Sequence, residues 1–307
     1  QMNPTVYAKT QKNATEIENM KKAHIIDGVV MTKYIYWLKK NIGKIPMDEC
    51  SVADRLDQMR REHGALDISF NTISAYGKNA ALCHYHAVPE HCASLQARGL
   101  YLVDSGGQYY EGTTDITRTI ALGPVTDEEK EHYTLVLMSM LRLGHVKFLE
   151  GCSGLSLDYV ARAPFWKRGL DFNHGTGHGV GYLLNVHERP IGIRYRVVPE
   201  RQENTPFMPG MVCSDEPGIY IEGSHGIRTE NLIYCKKDEK TDYGQFLSFE
   251  YLTYVPIDLK PVDASLMEEQ DLAWLNEYHA QVYEKIAPYL DTEEAAWLKE
   301  VTRPLSK

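Results

Sequence analysis

Helix-like and strand-like patterning alternate along this chain in an order that repeats. Asn13-x-x-Glu16 has the form of a capping box, and the run IENMKKAHIIDGVVMTKYIYWLKK behind it predicts one long helix that stops at Gly43. A second helix is predicted from near Asp48 to His63-Gly64, where the glycine supplies the C-terminal signal. Strand-like segments follow at LDISFNTISAYG, AALCHY and GLYLVDSGGQYY, the last turning at Glu111-Gly112 into TTDITRTIALG. The order then recurs. Thr126 and Glu129 open a long helix through EEKEHYTLVLMSMLRLGHVKF, and a shorter helix covers SLDYVARAPFWKR. Strands are predicted at GMVCSDEPGIYI, GIRTENLIYC and FLSFEYLTYVPI. Two helices then strands, twice over, suggest two related α/β halves of one α+β domain. A coincidental α+β meander is the alternative, because the halves share no obvious sequence identity.

After Pro256 the texture changes to amphipathic helices, MEEQDLAWLNEYHAQVYEKIAPYL and TEEAAWLKEVTR. Leu272, Leu275, Tyr278 and Trp297 need cover, supplied by the domain or by a partner subunit. The expected division is therefore 1–257 for the main domain and 258–307 for a helical extension. The opening QMNPTVYAKT reads as a linker cut from a longer protein.

Composition changes this picture little but narrows the function. A length of 307 residues fits one large domain or two ordinary ones, and 43% hydrophobic residues supply a substantial core. The net charge of -9 argues against a phosphate-binding surface, so nucleic acid is not an expected partner. Lys236-Lys237 is read as a solvated turn. The six cysteines lack CxxC pairing, and several sit in apolar, strand-like runs such as LCHY and MVCSDEP; they read as buried free thiols. With no signal peptide and no apolar run approaching ~18 residues, a cytoplasmic protein without membrane attachment is expected.

The chemistry is carried by five residues: Asp104 in VDSGG, Asp115 in TTDITRT, His178 in HGTGHGVG, Glu216 in SDEPG and Glu230 in GIRTEN. Four carboxylates within a few ångströms cannot all stay ionised unaided, since like charges raise one another's pKa. Two divalent cations would neutralise them. The oxygen-rich, sulfur-free set favours manganese-like ions over a Cys-type zinc site, and ions about 3.5–4 Å apart can activate a water and clamp a displacement reaction. Either aspartate alone is more simply a turn residue; the pair with three later ligands is not. Asp104 and Asp115 are expected on adjacent strands of one hairpin. Pro217 pushes Glu216 into extended backbone at a strand end. Arg228 lies two residues before Glu230, on the same face if the segment is a strand, as a salt-bridge partner or a contact to a ligand carboxylate or peptide carbonyl. The glycines around His178 let backbone crowd close to a ligand. Their spacing is not GxGxxG and no hydrophobic strand leads into them, so a dinucleotide loop is discounted. Of the twelve histidines, His84, His174 and His187 also merit weight. His132, His145 and His279 fall in predicted helices as surface or packing residues.

HYHAVPE, VDSGGQYYEGTTDITRT, HGTGHGVGYLLNVHERP, SDEPGIYIEGSHGIRTENL and FLSFEYLTYVPID closely resemble the aminopeptidase P (Xaa-Pro aminopeptidase) branch of the methionine aminopeptidase/prolidase/creatinase superfamily, nearest its long cytosolic type. The resemblance covers nearly the whole chain. It implies a pita-bread fold and two divalent metal ions, manganese(II) first, with cobalt, zinc or iron as alternatives. It also implies a homodimer through the catalytic domain and tail, and removal of an N-terminal residue ahead of proline. Asp104, Asp115, His178, Glu216 and Glu230 resemble its metal ligands. Glu216 resembles its proton shuttle, and His84, His174 and His187 its substrate-binding and intermediate-stabilising histidines. Arg228 resembles a conformational or substrate-contact residue. Long members carry two upstream domains, so this chain looks like the C-terminal catalytic part of such a protein. A dipeptide-cleaving prolidase, a metal-free creatinase-like enzyme and a protein-binding pseudoenzyme are the rivals. Intact ligands argue against the last two, and the cytosolic-type sequences against the first.

Overall fold

In the computed structural model, residues 3–307 except Gln202 are described, and the doubled order of elements is realised. Helix α1 (Pro4–Ala8) comes first, so the opening stretch read as linker is partly helical; Gln1 and Met2 lie outside the described residues. The first half then runs through α2 (Ala14–Asn41), α3 (Glu49–Glu62), β1 (Asp67–Ile68), β2 (Ile73–Tyr76), β3 (Leu100–Ser105), β4 (Gly107–Tyr109), β5 (Gly112–Thr113) and β6 (Ile116–Ala121). The second half comprises α4 (Asp127–Gly144), β7 (Lys147–Leu149), α5 (Gly154–Trp166), β8 (Gly177–Gly179), β9 (Glu188–Ile193), β10 (Val212–Asp215), β11 (Gly218–Ile221), β12 (His225–Arg228), β13 (Asn231–Thr241) and β14 (Gly244–Tyr251). The tail forms α6 (Glu269–Ile286) and α7 (Thr292–Val301).

The helix ends follow their sequence signals. Asn13 accepts from Glu16 N at 3.0 Å while Glu16 accepts from Asn13 N at 2.8 Å, and Thr126 with Glu129 closes the same reciprocal pair on α4. Past α2 and α3, Gly43 and Gly64 take φ of 76° and 91°, the left-handed conformation that favours glycine.

Strands β2, β3 and β6 form an antiparallel sheet in which Asp104 lies opposite Thr117. It packs against α2 and α3 through Val30, Met31, Tyr34, Leu38, Val103 and Ile120. The larger sheet has the order β7-β14-β13-β10-β8-β9 and lies against α4, α5 and α6 over a second core. Tail residues Leu272, Leu275 and Tyr278 are buried in that core, and Trp297 meets Tyr36 at 5.5 Å between ring centres. Three of the four residues of the tail's apolar stripe are thus covered by the chain itself, and Trp297 is half-buried.

Several expectations need correction. AALCHY is not a strand: Gly77–Ala81 is a short 3-10 turn and the following residues form a loop. FLSFEYLTYVPI stays a strand only to Tyr251. Lys236-Lys237 lies within β13, not in a turn, and Lys236 pairs with Glu250 at 2.9 Å. All six cysteines are free, but only Cys213 and Cys235 are buried; the other four are half-buried. Strands β8 and β9 were not anticipated, because their glycines and polar residues lack strand-like alternation. No helix among the described residues is long and apolar enough to cross a membrane.

Candidate metal centre

The two sheets bring the five predicted residues together. Asp104 sits on β3, and Asp115 stands just before β6, not within a strand as expected, because the β4–β5 hairpin intervenes. His178 is the centre of β8, Glu216 follows β10, and Glu230 occupies the break between β12 and β13. Backbone bonds stitch these ends together: Glu230 N donates to Thr117 O at 3.1 Å and Glu216 N to Thr176 O at 2.8 Å. Gly177 and Gly179 make β8 possible, since a Cβ at either would lie 2.0 Å from Ser214 O or 2.2 Å from Glu188 O. Their role here is close packing of strands; crowding against a ligand was the expectation.

Donor atoms of Asp115, His178 and Glu230 all lie within 4.8 Å of one another. His178 Nε2 is 3.4 Å from both Asp115 Oδ2 and Glu216 Oε1. Its Nδ1 donates to Gly179 O at 3.0 Å, which fixes the ring with Nε2 aimed at the carboxylates. Asp104 Oδ2 accepts from Arg228 at 2.5 Å. Among the described residues, Asp104 Oδ1 and Glu230 Oε1 are buried with no partner.

The electrostatics show an excess of negative charge. Burial, then the charges of Asp104 and Glu216, push the Asp115 carboxyl up to about 7 despite His178. Burial and the neighbouring carboxylates hold Glu230 well above the usual range. Burial pulls His178 down, yet Asp115 and Glu216 outweigh it and lift the ring to about 9. Glu216 is the exception: burial raises it, but His178, His174 and Arg228 bring it below its ordinary value. Oxygen-rich donors, orphaned buried oxygens and carboxylates that favour protonation fit hard or borderline divalent cations. Asp215 also has two buried, unpartnered oxygens, but it alternates to the opposite side of β10 from Ser214, which bonds Glu216; burial keeps it well above the usual carboxylate range.

With that geometry in view, the comparisons decide the family. The description "Metallopeptidase family M24" matches residues 18–237, and "C-terminal region of peptidase_M24" matches residues 245–305. The chain belongs to metallopeptidase family M24. It is 44% identical over 306 residues to a "Probable Xaa-Pro aminopeptidase P" of Botryotinia fuckeliana, covering 97% of this chain and 46% of that one. It is 43% identical over 310 residues to the protein of the same name in Paracoccidioides brasiliensis, covering 98% and 50%. An X-prolyl aminopeptidase from Caenorhabditis elegans, described as a cytosolic enzyme with a di-nuclear active site, superposes with a TM-score of 0.93 at 37% identity, covering 99% of this chain and 50% of that one. Prolidase from Pyrococcus furiosus superposes with a TM-score of 0.68 at 28% identity, covering 81% and 67%. The chain spans about half the length of the curated relatives it matches. Its α+β architecture is the pita-bread fold of the M24 peptidases.

Around the M24 centre the remaining predicted residues take distinct places. Arg228 is 3% exposed, and its guanidinium donates to Asp104, to Tyr220 OH at 2.7 Å and to Thr117 Oγ1 at 3.2 Å. His174 meets the same Tyr220 OH at 2.8 Å. His187 stands 4.3 Å ring to ring from His178, edge to face, and is exposed, as is His84. Sequence reasoning missed three supports. Thr117 Oγ1 donates to Glu230 Oε2 at 2.6 Å, and Tyr220 links His174 to Arg228. Arg118, 1% exposed, donates to Glu230 O at 2.7 Å and to tail residue Tyr278 at 2.9 Å. Alternation along β6 could have flagged Thr117, two residues beyond Asp115. Nothing local distinguished Arg118 or Tyr220.

Proposed function

We propose that this chain is the catalytic part of a dinuclear metal-dependent Xaa-Pro aminopeptidase. The observation that carries the proposal is the convergence of Asp104, Asp115, His178, Glu216 and Glu230, two of them with orphaned buried oxygens, in an M24 chain similar to Xaa-Pro aminopeptidases P. Those five residues would hold two divalent ions, manganese(II) foremost. When bound, such ions supply Lewis-acid polarisation of the scissile carbonyl and a water acidic enough to ionise near neutral pH.

Glu216 is assigned the proton transfers. Its carboxylate is ionised more readily than its burial alone would permit, so it can accept the proton of the attacking water. It then delivers that proton to the proline nitrogen, a tertiary amide nitrogen with no hydrogen of its own, which must be protonated to leave. Ser214 Oγ, 3.1 Å from Glu216 Oε1, steers the carboxylate. His187 is assigned donation to the developing oxyanion, and His84 the hold on the peptide beyond proline. His174 and Arg228 act through Tyr220, Arg228 holding Asp104 in position. The substrate-side residues recognise carbonyls and ring shape, because proline offers no N–H.

The division expected from sequence is kept: 1–257 catalytic, 258–307 an extension that props the site through Tyr278 and Arg118. A homodimer and a cytosolic setting like that described for the Caenorhabditis elegans relative complete the proposal; light scattering tests the dimer. The deciding experiment is mass analysis of products from a Xaa-Pro-Yaa tripeptide with added manganese(II). Free Xaa and Pro-Yaa are expected. Cleavage confined to Xaa-Pro dipeptides would favour the prolidase reading that the Pyrococcus furiosus neighbour keeps open.

A further inference from the structure

We propose that Asp48, Cys50 and Cys92 form a second, separate metal site for a thiophilic divalent cation such as zinc, clasping the His84 loop to the start of α3. A carboxylate oxygen of Asp48 and the sulfurs of Cys50 and Cys92 all lie within 4.8 Å of one another. All three residues are half-buried, so an ion can reach them from solvent. Two sulfurs and one oxygen, with a fourth position open, suit zinc-like ions in tetrahedral geometry and contrast with the sulfur-free peptidase centre.

The backbone creates this juxtaposition. Asp48 and Ser94 form an antiparallel bridge, Glu49 N donates to Ala93 O at 3.1 Å, and Leu95 N donates to Met47 O at 2.9 Å. Cys50, in the first turn of α3 just beyond that bridge, is thereby brought against Cys92 two residues before Ser94. Beneath them, the fully buried Glu49 accepts from Tyr76 N at 2.6 Å, Ala93 N and Tyr85 OH at 2.8 Å, and Asn79 at 3.0 Å. Both ends of the loop bearing His84 therefore already meet at α3, and the ion would close a second clasp over the first. Asp48 spends Oδ1 on capping α3 through Ser51 N at 2.7 Å, leaving Oδ2 for a ligand.

Charge favours a cation here. The Cys92 thiol and the Asp48 and Asp54 carboxylates are the charged and ionisable groups that act on Cys50. A bound cation deprotonates its thiol ligands outright. Binding forms two sulfur–metal bonds and releases two protons, with no electron transfer.

Cobalt(II) loading is the test, because thiolate ligands give an intense near-ultraviolet charge-transfer absorption that a carboxylate–histidine centre lacks. The parent chain should show that absorption, and Zn(II) titration should abolish it. Cys50→Ser and Cys92→Ser should lose it, while Asp115→Asn keeps it, so failure of the peptidase centre cannot be mistaken for failure of this one. In the parent, zinc should also protect Cys50 and Cys92, but not Cys83 or Cys152, from alkylation mapped by mass spectrometry. No sulfur–cobalt absorption in a parent with free thiols would overturn the proposal. So would absorption that persists in both serine variants, or a Cys50–Cys92 disulfide with no metal uptake.

Discussion

Two clusters of buried charge lie one residue apart along the chain and are balanced in opposite ways. Asp27, fully buried, is met within the protein by Arg60 at 2.8 and 3.2 Å, Tyr109 at 2.9 Å and Thr114 at 2.6 Å. Burial would raise its carboxyl, but Arg60 outweighs burial and holds it below the usual range. Asp115, the next residue after Thr114, belongs to a group in which carboxylates outnumber cations, two oxygens have no partner and pKa values climb. The first cluster is complete as folded; the second is complete only with added positive charge. The balanced one also supports the unbalanced one. Thr114 donates to Asp27 and accepts from Gly107 N at 2.9 Å, while its carbonyl accepts from Ser69 at 2.8 Å, so the turn that presents Asp115 is anchored to the ion pair.

The largest expected effect comes from removing one of the carboxylates whose charge calls for metal. Asp115→Asn keeps the shape and removes one negative ligand, so it should lose at least one ion and nearly all turnover. Calorimetry with and without manganese(II) checks this. The parent should gain about 2.7 kcal/mol of stability at a hundredfold excess over Kd, and the variant should gain little. Two ions and normal rates in the variant would dissolve the contrast between the clusters.

Breaking the balanced cluster should cost stability first. Asp27→Ala leaves Arg60 buried and unpaired, a loss of about 3–5 kcal/mol, read from urea unfolding of the metal-free chain. Replacing both residues with apolar ones of similar volume should restore most of the loss. A weakened manganese affinity in Asp27→Ala, measured by titration, would show the anchoring of Asp115 directly.

His187→Ala should reduce kcat by about 10²–10³, or ~2.7–4 kcal/mol of barrier, with metal content and melting temperature close to the parent. Loss of metal would instead make His187 a ligand, and loss of stability alone would make it a packing residue.

The smallest effect concerns buried groups that carry no charge at all. Burial holds His24 down at about 4 and His279 at about 3, below the ordinary 6.5. Both folded values are depressed, so the unfolded chain binds more protons below pH 6.5 and stability falls as the solution is acidified. Between pH 7 and 5 each histidine should cost about 2 kcal/mol. Urea unfolding of His24→Gln/His279→Gln across that range should show a flatter slope than the parent; an equal slope would place these rings in contact with water.

How much was legible beforehand depended on the kind of signal. Capping boxes and glycine stops act within three or four residues, so both ends of α2 and α3 and the start of α4 were readable almost to the residue, whereas the helix expected through Phe148 ends at Gly144 and gives way to β7. AALCHY failed for the same reason in reverse: its apolar composition suggests a strand, but it forms a 3-10 turn and loop in which Asn79 and Tyr85 are held by the distant Glu49. The five candidate ligands were legible because carboxylates at strand ends in glycine-rich surroundings are chemically conspicuous. Arg118 and Tyr220 were not, since an arginine in a strand and a tyrosine after a turn look ordinary until the second sheet arrives.

The sequence by itself determined the long helices and which carboxylates and histidines are candidates for chemistry, because these follow from local spacing and residue type, and the resemblance of its motifs pointed to the family. Tertiary structure decided which of those groups are neutralised by the protein and which are left in excess. That is a matter of distance and burial between residues as far apart as Asp104 and Arg228, or Arg118 and Tyr278. A carboxylate's partner, and therefore its charge, is set only when the two sheets close on each other and exclude water.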